Sequence, residues 1–75
     1  MKNYEFTVVI ERDEDGRYIA VCPALQGCYT EGETEAEALK MAEEAIGAVL
    51  AYRRDAGIPI PADASPTVRV VTVAA

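Results

Sequence analysis

The chain has 75 residues, 7 basic against 13 acidic, no histidine, a net charge of −6 and a pI near 4.4. One core is all that length can hold, so residues 1–75 form a single domain. Clustered Lys and Arg, the means of neutralising a phosphate backbone, are missing, which argues against direct nucleic-acid binding. The acidity suits a basic protein partner, or more plainly keeps a small protein soluble.

Residues 3–11 alternate, with Tyr4, Phe6, Val8 and Ile10 on one face and Glu5, Thr7, Val9 and Glu11 on the other, the period of a half-buried strand. Asp15-Gly16 is a hairpin signal. The carboxylates of Asp13, Glu14 and Asp15 lack the alternating spacing and distant glutamate of a calcium loop, so they read as a solvated turn. Residues 17–22 form a second strand with apolar side chains on both faces, which places it inside the sheet. Pro23 ends that run by removing a backbone donor, Leu25 is expected to plug the connection, and residues 27–31 form a short third strand.

Thr34 with Glu37 three places on is a capping box, with the hydroxyl directed to the N3 amide and the carboxylate to the N-cap amide. The helix it opens runs from Glu35 to about Ala56. Its apolar stripe is Ala38, Leu39, Ala42, Ala45, Ile46, Val49 and Tyr52, and Lys40 and Glu44 are spaced for an i, i+4 ion pair. Gly57 supplies a left-handed C′ position, Ile58 packs back on the last turn, and Pro59 prevents continuation. Ile58-Pro59-Ile60-Pro61 is an extended connector, residues 62–66 a loop, and residues 67–73 a final strand. Its valines would be hazardous at an open edge, so it lies inside the sheet or is covered by another chain.

The predicted order is β-β-β-α-β: an antiparallel three-stranded meander, one long helix and a fourth strand, an α+β arrangement. A single helix covers one face of the sheet. The other face, with Val9, Ile19 and Val21, is left for a partner or sister chain, and a dimer or tetramer is expected. Cys22 and Cys28 read as two small core residues, since two thiolates are too few for zinc, although their spacing alone permits a disulfide. No cofactor, metal ligand or catalytic residue is expected. The N-terminal residues lack an apolar signal region, and no apolar run approaches a membrane span. A cytoplasmic protein without membrane contact is therefore expected.

Several of these features fall in a familiar order. Glu14-Asp15-Gly16-x-Tyr18, then Pro23-x-Leu25-x-Gly27-Cys28, then Gly32-x-Thr34-x-x-Glu37-Ala38, and finally Gly57-Ile58-Pro59-x-Pro61 resemble the HicB-like antitoxins of bacterial toxin–antitoxin systems. The resemblance spans residues 3–61. Two positions depart from the usual pattern: Gln26, where proline is common, and Glu33, where aspartate is common. It implies a partial ribonuclease-H-like sheet and helix. It also implies a non-enzymatic antitoxin that binds and neutralises HicA, a small basic ribonuclease resembling a double-stranded-RNA-binding domain. Many members carry a C-terminal DNA-binding module after the region matched here. The sequence in hand runs to Ala75 without one, so operator binding is the family role least expected of it.

The partner surface expected from charge alone comprises Asp13, Glu14 and Asp15 in the hairpin and Glu37 and Glu44 on the helix. Two other readings compete: a stand-alone oligomeric adaptor without a toxin, and a metal-dependent nuclease. The nuclease requires carboxylates converging on two metal ions, whereas these acids are spread over a turn and an outer helix face.

Overall fold

A computed structural model describes residues 2–75. Three strands, β1 (Val9–Arg12), β2 (Tyr18–Val21) and β3 (Tyr29–Gly32), form an antiparallel sheet in the order β1-β2-β3, and helix α1 (Glu35–Ala56) packs across it. The fold is α+β.

The first hairpin is built by Asp13. Its Oδ1 accepts hydrogen bonds from the Asp15 and Arg17 amides, both at 2.9 Å, while Gly16 turns the chain at φ 81°. That closure sets the register Val9↔Val21 to Arg12↔Tyr18, and the Arg12 guanidinium lies over the Tyr18 ring at 5.1 Å. After β2 the Cys22 amide bonds the Cys28 carbonyl at 3.0 Å, so the chain between them is a closed loop with Leu25 turned inward. Leu25 is the expected plug. Gly27, at φ 78°, makes the return to β3.

The helix has the expected bounds, because both ends are specified by local chemistry. Thr34 caps it by accepting from the Glu37 amide at 3.1 Å; Gly57 adopts φ 71°, and the Ile58 amide bonds back to the Arg53 carbonyl at 2.8 Å. One detail differs. The Glu37 carboxylate reaches the amide of Glu33, at 3.4 Å, and so ties the residue before the cap instead of Thr34 itself.

Two buried clusters hold the layers together. Ala20, Ala38 and Ala42 form one, with Val8, Ile10 and Tyr18 against it. Cys22, Leu25 and Cys28 form the other, with Phe6, Ala45, Ile46, Val49 and Leu50 around them. The small residues let helix and sheet approach closely. A Cβ on Gly32 would stand 2.6 Å from the Ala38 nitrogen, so glycine is required there by contact, not by backbone angle.

Three expectations are corrected. The first strand is shorter than 3–11, because Val9 already lies opposite Val21, the last residue of β2, and residues 2–8 have no strand partner. The helix stripe turns through Leu50, and Tyr52 and Leu39 are exposed. The third correction is the largest. Residues 67–73 form no strand, and Val68, Val70, Val71 and Val73 are 85, 96, 76 and 77% exposed. This segment projects as an arm. The molecule extends 49 Å along its long axis, with a radius of gyration of 14.5 Å. A compact chain of this length would have about 11 Å.

Candidate interaction surface

The five acidic residues predicted to face a partner lie on two elements, three in the first hairpin and two on α1. Asp13 is half-buried and spends one carboxylate oxygen on its own turn. Glu37 is engaged at the helix start. Glu14, Asp15 and Glu44 are exposed, the first two at the hairpin tip and the third midway along α1. The Lys40–Glu44 ion pair does not form. Among the described residues the ion pairs are Arg17 with Glu31 and Glu33, at 3.7 and 3.9 Å, and Arg54 with Asp55 at 3.4 Å. All are exposed and screened.

The cysteines are free thiols, both buried. Burial, and then the neighbouring Cys22, push the Cys28 thiol above its ordinary value of 9.0. A thiol held protonated in this way is a packing residue and a poor nucleophile. No group of three or more His, Cys, Asp or Glu side chains is placed to hold a metal ion among the described residues. No helix among them is long and apolar enough to cross a membrane.

A concave surface that sequence reading missed lies where residues 4–8 run beside the helix. Tyr4, Glu5, Phe6 and Val8 form one wall and Leu39, Glu43, Ile46 and Leu50 the other, around about 400 Å³. Its wall is apolar with two carboxylates and no cation. Alternation along residues 4–8 and helical spacing along 39–50 were both visible in the sequence. That the two face one another across an open gap was not, since it depends on how the helix crosses the sheet. A second hollow of about 330 Å³ continues it, sharing Tyr4 and Leu50 and ending at Lys2, Arg54 and Ile60. Just beyond, the Asp63 carboxylate accepts from the Thr7 amide at 2.8 Å and the Thr7 hydroxyl at 2.6 Å. These bonds draw the Asp63 carboxyl below its ordinary value of 3.8. This clasp is where the arm leaves the body.

The hairpin, the plugged loop and the capped helix coincide with a protein family. Residues 6–72 match the model of the HicB-like antitoxin of bacterial toxin–antitoxin systems. The chain belongs to that family. Its relatives include a UPF0150 protein of Thermoplasma acidophilum, 41% identical over 66 residues that cover 88% of this chain and 96% of that protein. A UPF0150 protein of Synechocystis is 50% identical over 46 residues, 61% of this chain and 67% of its own. One from Archaeoglobus fulgidus is 37% identical over 51 residues, covering 68% and 74%. No solved structure matches the chain. For this HicB-like chain, membership supports an antitoxin role and, in general terms, a toxin partner.

Proposed function

We propose that this HicB-like chain is the antitoxin of a type II toxin–antitoxin pair and neutralises a basic, HicA-like mRNA-cleaving ribonuclease by direct protein contact. The observation that carries the reading is the family match across residues 6–72. The charge is consistent with it: a surface with a net charge of −6 complements one that binds RNA phosphates, and it would mask that surface without chemistry of its own. The protein acts without a cofactor, as a homo-oligomer in the cytoplasm, and does not itself bind nucleic acid. The sheet and helix follow the first part of a ribonuclease-H-like order, with the fourth strand completed on assembly.

Contact acids are Glu14, Asp15 and Glu44, whose carboxylates are exposed, with Asp13 and Glu37 supporting the turn and cap that present them. Co-expression with a HicA-like ribonuclease is expected to relieve growth arrest, and the two purified proteins to co-elute. Replacing Glu14, Asp15 and Glu44 together by lysine is expected to abolish co-elution while leaving the helical circular-dichroism signal unchanged. Continued growth arrest together with separate elution of the wild-type proteins would leave the stand-alone adaptor as the better reading.

A further inference from the structure

Helix α1 covers one face of the sheet. Ile10, Tyr18 and Ala20 pack toward Ala38 and Ala42, so the alternate residues of the same strands point the other way. The register sets those residues in two rows across the three strands. Val9, Val21 and Tyr29 make one row, and Glu11, Ile19 and Glu31 make the next. Val9, Ile19 and Val21 are half-buried, and Tyr29 is 63% exposed. Ile19 is bracketed by two exposed carboxylates, carried on backbones about 10 Å apart at the usual strand spacing.

Charge decides what such a face can take. Glu33 extends its acidic side, and Arg17, the cation beside these rows, is already shared between Glu31 and Glu33 at 3.7 and 3.9 Å. Arg12 lies on the helix side of the sheet, over Tyr18. At the turn joining β1 to β2, the exposed Glu14 and Asp15 continue the negative field. A nucleic acid is repelled by this surface. A second copy is disfavoured as well, because a two-fold interface lays a patch against itself. Glu11 and Glu31 would then meet the same carboxylates, with Arg17 already engaged.

We propose that the outer face of the sheet is the seat of a basic protein surface. An apolar side chain of the partner packs on Ile19, Val21 and Tyr29, and lysines or arginines flanking it pair with Glu11 and Glu31. This seat rests on the antitoxin reading, whose basic ribonuclease is the partner it takes. It gives that contact an apolar centre, which exposed acids alone do not supply.

The test is the affinity of the full chain for a purified HicA-like ribonuclease, measured by titration calorimetry, with circular dichroism to verify that each variant keeps its helix. Tyr29→Ala is expected to weaken binding about thirtyfold, the usual scale for a central interface aromatic. Glu11→Lys combined with Glu31→Lys is expected to weaken it about a hundredfold, by opposing like charges. Glu43→Lys combined with Asp55→Lys makes the same change in net charge on the helix and is expected to alter affinity less than about threefold, since screening limits its reach. A wild-type chain that does not bind the ribonuclease overturns the antitoxin reading and the seat with it. Wild-type binding that is indifferent to Tyr29→Ala, or as sensitive to the helix pair as to the strand pair, overturns the seat alone. Sedimentation of the strand variants without the ribonuclease completes the test: unchanged self-association is expected, and its loss assigns the face to a second copy and overturns the proposal.

Discussion

β2 and the arm are two stretches of β-forming sequence with opposite fates. Tyr18–Val21 has a hydrogen-bonded neighbour on each side, and its Ala20 is fully buried beneath Ala38 and Ala42. Residues 67–73, richer in β-branched side chains, have no neighbour and lie almost wholly in water. Strand propensity therefore did not decide which stretch became a strand. Proximity did: β2 is delivered to β1 by a five-residue turn closed on Asp13, and to β3 by a loop closed on Leu25. The arm emerges from a 22-residue helix and a proline connector, and it is aimed past the end of the sheet.

The contrast can be broken at the loop that delivers β3. Leu25→Ala removes the largest buried side chain of its cluster and is expected to cost about 3 kcal/mol, within the usual range for core leucines. Urea unfolding followed by circular dichroism measures it. Gly32→Ala puts a methyl group 2.6 Å from the Ala38 backbone and is expected to cost about 2 kcal/mol by forcing helix and sheet apart. Its signature is a lower unfolding midpoint with faster exchange of the β3 amides. Thr34→Ala removes the bond to the Glu37 amide and is expected to cost about 1 kcal/mol, and Thr34→Ser to cost less.

The contrast is sharpened at Asp63. Its carboxyl is lowered in the folded chain by Thr7, so its contribution is present above the ordinary value of 3.8 and is lost as pH falls through the depressed value. Asp63→Asn is expected to remove that acid-side slope, a small effect at an exposed group, seen by comparing thermal midpoints of the two proteins across the acid range. The Cys28 thiol behaves in the opposite sense. Its raised value means that stability is full below 9.0 and declines as pH rises beyond it, a loss that Cys28→Ala is expected not to show.

Features fixed by neighbours in the chain could be read from the sequence. Thr34 and Gly57 gave the helix its bounds because capping is chemistry within a few residues. Asp15-Gly16 gave the hairpin, and Pro23 with Leu25 the plugged loop, for the same reason. The arrangement around Pro23, Leu25, Gly27 and Cys28, followed by Gly32 and Thr34, also carried the family. The candidate site was less legible: a list of acids shows charge but not which oxygens the fold consumes, as it does at Asp13 and Glu37.

By itself, then, the sequence determined the meander, the helix with both its ends, the core cysteines and the family, since each rests on short-range backbone chemistry or on ordered motifs. Only the tertiary structure decided that Gly32 must be glycine, that Tyr52 points to solvent and that a groove opens beside residues 4–8. It also decided that the last valines find no place in their own sheet. Those outcomes depend on the angle at which the helix crosses the strands and on where the Asp63–Thr7 clasp releases the chain. No local pattern of residues encodes either.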